Sequence, residues 1–219
     1  LRPANQLDLR QLDRTFTFRA SEGFVENFGA SLLARVSAEA PGVQMHFLHK
    51  LEKTSDPLRD GTVDLETGVV DQSISPEVRA QSLFRDRYVG VVRAGHPLSK
   101  GKMTSSRYAA AAHVHVSRRE GDKGHVDDAL AELGLKRKIV AVVGGFSAAL
   151  ALARASDIVA TVHERHTGNL FAGMHSFPLP LPMPRFTVSL LWHPRFDGDP
   201  AHRWLRGCVR EVCAQRQQE

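Results

Sequence analysis

The sequence predicts an α/β protein whose strands form mainly parallel sheet in two βα blocks, joined by right-handed crossovers. Three observations predict this. Short β-branched or alternating runs take turns with stretches of helical periodicity along the 219 residues. Glycine, proline and capping residues fall at the joins between them. No low-complexity linker and no repeat of fixed period divides the chain.

The elements follow in order. "RTFTFRA" (Arg14 to Ala20) alternates like a strand. Ser21 stands where a helix N-cap would, and Glu22 places an acid in the first turn, where it suits the helix dipole. Phe24, Phe28, Leu32 and Val36, with Val25 and Leu33 beside them, form an apolar stripe at helical spacing. "APG" ends this helix, and "VQMHFL" (Val43 to Leu48) reads as the next strand. "SDPLRDG" is a short helix with Asp56 near its start, Pro57 in its first turn and Gly61 beyond its end. "TVDLETGVV" supplies a third strand. After "RAQSLFRDRYVGVVRAGHPL" a second block begins: a helix around "SSRYAAAA", a strand "HVHVS" (His113 to Ser117) and a helix "VDDALAELG" (Val126 to Gly134). "IVAVV" then reads as a buried strand, "FSAALALARA" as a helix and "DIVATV" (Asp157 to Val162) as another strand. "FPLPLPMPRF" is too rich in proline for a central strand and reads as an extended crossover or edge segment. "FTVSLLW" is the last strand, and it returns with the final helix to the first block.

Composition bounds the function. At 42% hydrophobic and 24% charged, the chain can bury a core as one large or two small domains. Its net charge of +5 and pI near 9.6 permit contact with anions without choosing among small acids, nucleic acid and membranes. "IVAVVGGFSAALALA" is the longest uncharged stretch, and it falls short of the roughly 20 apolar residues of a membrane span. Cys208 and Cys213 lie five residues apart in a helical segment, so no disulfide between them is expected. The opening "LRPANQLDLRQLD" lacks the apolar core of a signal peptide and has no initiator methionine, so the sequence reads as part of something longer.

One stretch imitates a metal or catalytic site. "WHPRFDGDPAHRWLR" (Trp192 to Arg206) gathers two histidines, two aspartates and three arginines. Asp199-Pro200 is a standard helix start, and Trp204, Leu205, Cys208, Val209 and Val212 mark an apolar helix face. His193 and His202 lack the spacing that puts two imidazoles on one ion, so the stretch reads as structural. No metal and no cofactor is expected. Ser147, Asp157, His163 and the "WHPR" residues can be assembled into a triad on paper. No GxSxG elbow, P-loop or zincin spacing supports it, and the chain is not read as an enzyme.

"HPRFDGDPAHRWLR" closely resembles the C-terminal pattern of one branch of the LysR-type transcriptional regulators. Four further segments match in order. "RTFTFRASEGF" is similar to the start of that family's effector-binding domain, and "PLRDGTVDLETG" to its "LxxGxxDLAIG" segment. "LFRDRYVGVVRAGHPL" is similar to "LxxdxxvxvvxxxHPL", and "GGFSAALALARASDIVATVHER" to "sfxaaxxlvxxtdxiatvPxr". The resemblance implies a periplasmic-binding-protein type II fold, two Rossmann-like subdomains around a central cleft that holds a small ligand. Residues 1–13 then correspond to the linker after a winged helix-turn-helix, 14–90 with 188–219 to subdomain I, and 91–187 to subdomain II. It implies a cytoplasmic protein that forms a homodimer or homotetramer, with the subdomains of two chains antiparallel. Such a protein touches no membrane and meets DNA only through the N-terminal helix-turn-helix. The chain departs from the pattern at Glu66 and Thr67, which replace small and apolar residues. Gly144-Gly145 replaces a Val-Pro or similar pair, and His163 replaces a proline. All three departures fall at strand ends that resemble cleft-lining loops, so the resemblance names no effector.

Ligands of open α/β sheets bind beyond the carboxyl ends of strands, where helix N-termini offer free N–H groups. Two such starts stand out: Ser21 and Glu22 after the first strand, with Phe24 in the following turn, and Gly145, Phe146 and Ser147 after "IVAVV". The resemblance adds Glu66, Thr67 and Gly68, then His115 and Ser117, and His163. Each has a bland reading beside the functional one: Ser21 a plain cap, Phe146 a core residue, His115 a satisfied strand histidine that faces away from Val114 and Val116. Glu66 near a parallel-strand end needs a partner or solvent. The leading function is the effector-binding and oligomerisation domain of a bacterial transcription regulator, sensing an organic or aromatic carboxylate. The alternative is a solute-binding protein of a transporter with the same fold.

Overall fold

A computed structural model describes residues 7–50, 52–117 and 124–215. Residues 1–6 of the expected linker lie outside them. The chain divides into two compact units, Leu1–Arg85 with Thr187–Glu219 and Asp86–Phe186, so the first boundary falls before the 90/91 position expected from sequence.

Unit 1 is built on β1 (Arg14–Ala20), α1 (Glu22–Glu39), β2 (Val43–His49), α2 (Asp56–Asp60), β3 (Leu65–Gly68) and β4 (Arg79–Asp86). It is completed by β10 (Phe186–Trp192) and α7 (Pro200–Gln215) after the chain returns. Its sheet has the order β2-β1-β3-β10-β4. β1 runs parallel to β2 and to β3, while β10 pairs β3 antiparallel. The expectation of mainly parallel sheet is therefore corrected: the sheet is mixed, because β10 enters it on the return of the chain and not through a βαβ crossover.

Ser21 caps α1 by accepting the Phe24 N–H at 3.3 Å. The α1 stripe turns inward, with Phe24, Phe28, Leu32 and Val36 all buried, each contributing on the order of 2 kcal/mol of transfer free energy. Val25 is only partly buried and Leu33 is exposed, so the stripe is narrower than the sequence pattern. α2 ends at Gly61, whose φ of 84° is a left-handed conformation that costs other residues more.

Unit 2 contains β5 (Tyr88–Val92), α3 (Ser105–Ala109), β6 (Ala112–Val116), α4 (His125–Glu132) and β7 (Lys138–Val143). It continues with α5 (Phe146–Arg154), β8 (Val159–His163), α6 (Glu164–Thr167) and β9 (His175–Pro178). The sheet order is β7-β6-β8-β5-β9, parallel from β7 to β8 and antiparallel from β8 to β9. Both faces are covered. Val89, Val91, Val114, Ala160 and Val162 pack with α5, and Val92, Val159 and Phe177 pack with Tyr108 and Leu130 on the other side. A strand covered on both faces reads as a continuous apolar run, and β8 does so. Gly90 is required where it stands, because a Cβ there would lie 2.3 Å from the Phe177 ring on β9. β9 is an edge strand, and the proline-rich residues after it form no strand.

Two sequence expectations change here. β4 and β5 form from a stretch to which no element was assigned. "IVAVV" is a strand but not a buried one: Ile139, Val140 and Val142 of β7 are exposed, Val142 to 62%. β7 is the edge of its sheet, so among the described residues no strand pairs with it on one side.

Candidate functional site

In unit 1 the predicted residues gather where β1, β2 and β3 end. Glu66 is 1% exposed and ion-paired on both oxygens. Arg19 approaches Oε2 through Nη2 at 2.5 Å and Nε at 3.2 Å, and Lys50 Nζ lies 2.5 Å from Oε1. Arg19 also donates to the Thr54 carbonyl at 2.5 Å, and Lys50 to the Thr67 carbonyl at 3.4 Å. Gly68 leaves room for the ammonium group, since a Cβ there would sit 2.5 Å from Lys50 Nζ. Two cations, Arg19 and Lys50, flank the one carboxylate of Glu66. Thr67 is buried in the same strand. Ser21 is partly buried one residue beyond β1, and Phe24 lies in the core, stacked on Phe18 at 5.5 Å and packed on Phe28 at 5.1 Å. The Glu22 side chain lies outside the described residues. A cavity of about 240 Å³ in unit 1 is lined by Ala20, Val25, Glu26, Phe47, Leu48 and His49, and not by the three charged residues of the cluster.

In unit 2, β6, β7 and β8 run parallel and end together, with the Ser117 N–H bonded to the Val143 carbonyl at 2.9 Å. Gly145 begins α5, Phe146 is partly buried and Ser147 is exposed. His163 closes β8 amid rings: Tyr88 at 4.6 Å, Phe146 at 4.7 Å, Phe186 at 4.8 Å and His166 at 5.2 Å between centroids. Burial, with His166 beside it, lowers the His163 pKa to about 3. His115 bonds through Nδ1 to Arg137 Nη2 at 3.0 Å, and Arg137 in turn holds Asp127 at 2.8 and 3.0 Å. A bond from guanidinium fixes Nδ1 as an acceptor, so neutral His115 carries its proton on Nε2.

Sequence reasoning missed the partners of these residues. Arg19 is visible as the one charge between Phe18 and Ala20 in an apolar strand end, and Lys50 as the first cation after β2. It also missed Asp86, whose carboxylate accepts the N–H groups of Arg87 (2.8 Å), Arg165 (2.8 Å) and His166 (3.2 Å), and His166 Nδ1 at 2.8 Å. Burial opposes ionisation of Asp86, but the bonds from His166 and the Arg165 amide outweigh it and hold its pKa below the ordinary value.

The "WHPRFDGDPAHRWLR" stretch is built as structure. His193 Nδ1 accepts the Arg195 N–H at 3.1 Å in a single 3-10 turn, and buried His202 bonds the Asp64 carbonyl at 2.9 Å. Asp199 Oδ1 accepts the N–H groups of Ala201 and His202, both at 3.1 Å, and so caps α7. Cys208 and Cys213 are both buried free thiols. No helix among the described residues is long and apolar enough to cross a membrane.

Two α/β units, each with its potential ligand groups at the carboxyl ends of parallel strands, define a binding-protein class of fold. Residues 9–214 match the LysR substrate binding domain, and the chain belongs to that family. It is 29% identical over 206 residues to the HTH-type transcriptional activator NagR of a Ralstonia species, covering 91% of this chain and 67% of that protein. It is 26% identical to the activator NahR of Pseudomonas putida, covering 89% and 65%, and 31% identical to the regulator SyrM of Rhizobium meliloti (strain 1021), covering 80% and 55%. The chain thus spans about two thirds or less of these relatives. Among solved structures, a probable transcriptional regulator from Pseudomonas aeruginosa superposes with a TM-score of 0.82 at 28% identity, covering 94% of this chain and 70% of that one. The regulatory domain of the activator MexT, from the same organism, gives 0.75 at 27% identity, covering 90% and 97%. The fold is that of LysR regulatory domains, the type II periplasmic-binding-protein arrangement. The BenM effector-binding domain with benzoate (0.73, 16% identity, 94% and 95% covered) and that of QuiR with shikimate (0.70, 14%, 93% and 99%) share the fold. The family and these relatives are transcriptional regulators and not enzymes, and they do not favour the transporter alternative.

Proposed function

We propose that this domain senses a small organic anion, an aromatic or hydroxylated carboxylate, for a cytoplasmic LysR-type regulator that binds DNA through a separate helix-turn-helix. The observation that carries the anion is the Arg19–Glu66–Lys50 cluster, which sets two cations on one carboxylate near the N-terminus of α1 that Ser21 caps. A free carboxylate at Glu66 would repel an acid; a doubly paired one does not. Ser21, Glu66, Thr67 and Gly68 in unit 1, and His115, Ser117, Gly145, Phe146, Ser147 and His163 in unit 2, are the proposed contact segments. That two proteins of this fold hold benzoate and shikimate accords with the class.

Calorimetry with benzoate, shikimate, benzyl alcohol and benzylamine tests the reading. The acids bind, the alcohol and amine do not, and Lys50→Met weakens the acids. Binding of amines or neutral aromatics where carboxylates fail at millimolar concentration would reject the anion and leave the fold untouched.

The regulator is further proposed to assemble as an antiparallel homodimer, or as a homotetramer made of two such dimers. Each unit offers exposed apolar side chains for it: Leu33 on α1 in unit 1, and Ile139, Val140 and Val142 on β7 in unit 2. An open apolar strand edge is a pairing surface that needs a cover, and a second copy supplies one.

A further inference from the structure

We propose that His163 reads a neutral hydroxyl on the ring of the effector, so that this domain selects a hydroxylated aromatic monocarboxylate over the unsubstituted acid. The inference deepens the carboxylate reading above and rests on it.

His163 ends β8 and occupies the N-cap position of α6, yet its side chain makes no capping bond. Two other histidines stand at the same position of a helical turn and do cap. His96 accepts the Leu98 N–H at 3.0 Å and His193 the Arg195 N–H at 3.1 Å, each through Nδ1. At α6 the cap comes from elsewhere, because the Asp86 carboxylate takes the Arg165 N–H at 2.8 Å and the His166 N–H at 3.2 Å. The imidazole of His163 is thereby released from the work that a polar side chain does at a cap. Neither of its nitrogens has a hydrogen-bond partner among the described residues. The polar side-chain atoms shut from solvent without a partner there are His113 Nδ1 and Trp204 Nε1, so the His163 nitrogens are open to an approaching group. The LysR pattern carries a proline where this chain has His163, so the polar group is a departure from that pattern.

The setting is aromatic. Tyr88, Phe146 and Phe186 stand around His163 at 4.6, 4.7 and 4.8 Å between centroids. All four side chains are only partly buried, which leaves ring surface for a flat apolar ligand body. With its pKa lowered to about 3, the His163 ring is neutral at physiological pH. A neutral imidazole carries one N–H donor and one lone-pair acceptor. A hydroxyl both donates and accepts, and so matches that pair. A second carboxylate only accepts, gains no ion pair from a neutral ring, and meets the charge of Asp86, which already acts on His163.

The test is calorimetry on the domain with benzoate, the three hydroxybenzoates, the matching methoxybenzoates and the three benzenedicarboxylates. At least one hydroxybenzoate binds about five- to tenfold more tightly than benzoate, the yield of one neutral hydrogen bond. Its methoxy and dicarboxylate counterparts lose that gain. His163→Phe, which keeps an aromatic ring in place, brings the ratio of hydroxybenzoate to benzoate affinity to about one. His163→Gln, which keeps a donor and an acceptor, retains part of it. Should His163→Phe fail to fold, a crystal structure of the wild type with the tightest hydroxybenzoate is read instead. Its hydroxyl oxygen is expected within about 3.2 Å of a His163 ring nitrogen. A gain that survives in His163→Phe, a hydroxyl seated away from His163, or benzoate bound as tightly as every hydroxybenzoate overturns the proposal and leaves the carboxylate reading standing. Failure of every acid to bind, benzoate included, removes both.

Discussion

Lys50 and Glu66 form a 2.5 Å ion pair at the ends of the parallel strands of unit 1, and Arg19 holds the second oxygen of the same carboxylate. A buried carboxylate between two cations is costly to remove, because its loss leaves like charges facing each other out of water.

Glu66→Gln should therefore lower stability by about 3 kcal/mol, the scale of a broken buried ion pair. It should also leave carboxylate affinity unchanged or improved, since the positive charge of the cluster rises. Urea unfolding and calorimetry on one protein preparation measure both. Loss of carboxylate binding with the fold intact would mean that Glu66 contacts the ligand directly.

Asp199→Ala removes two capping bonds of α7 and the 2.7 Å ion pair with Arg14. The cap is worth about 1 kcal/mol, and the partly exposed pair adds about half that. A loss of about 1.5 kcal/mol in chemical denaturation is expected, with ligand affinity unaltered. A metal-dependent rise in melting temperature that vanishes in His193→Ala would refute the structural role of this stretch.

Stability should fall as pH drops below neutral. Burial holds both His113 and His202 at a pKa of about 4, against an ordinary value of 6.5. Charged groups of adjoining residues act on each: Arg137 and Asp127 on His113, and Arg206, Asp199 and Arg14 on His202. Between pH 6.5 and 4 the unfolded chain binds protons that the folded chain refuses, so stability is full above 6.5 and drains through this window. The slope is up to about 1.4 kcal/mol per pH unit for each histidine. Melting curves at several pH values check this, and His113→Phe should flatten the profile. A profile level from neutrality to pH 5 would contradict it.

What the sequence made legible, and what it did not, has a physical division. The α1 stripe through Phe24, Phe28, Leu32 and Val36 was readable because periodicity reports which face of a helix is apolar. The Asp199-Pro200 start was readable because capping is local. β7 was misjudged as buried because composition cannot reveal a strand's place in the sheet order, which non-local pairing decides. β10 defeated the parallel expectation for the same reason. At the candidate site, the strand ends could be located, but the pairing of Glu66 with Arg19 and Lys50 depends on β1, β2 and β3 lying side by side. His163 and His166 stand three residues apart, yet Asp86, which bonds His166, comes from the end of β4.

This domain by itself should show no sequence-specific DNA binding despite the net charge of +5. Several arginines of both units are committed to acids: Arg14 to Asp199, Arg59 to Glu77, Arg79 to Asp197, Arg93 to Asp157 and Arg137 to Asp127. Charges paired in this way contribute less to the release of phosphate counterions. Specific retention of the parent promoter at physiological salt, against competitor DNA, would reverse this view.

Val142→Lys should separate the chains of the proposed dimer. Val142 is 62% exposed on an edge strand, with Ile139 and Val140 exposed beside it, so a charge there meets solvent in a monomer and costs the fold little. In a pairing with a second copy the same ammonium group is buried against apolar side chains at a cost of several kcal/mol, unless it finds a partner. Light scattering coupled to size exclusion should read a dimer for the wild type and a monomer for the variant, with equal melting temperature at low protein concentration. Leu33→Lys, on α1 of the other unit, should produce the same dissociation if the pairing is antiparallel, since the two patches then meet across the interface. A dimer that withstands both substitutions would place the interface elsewhere.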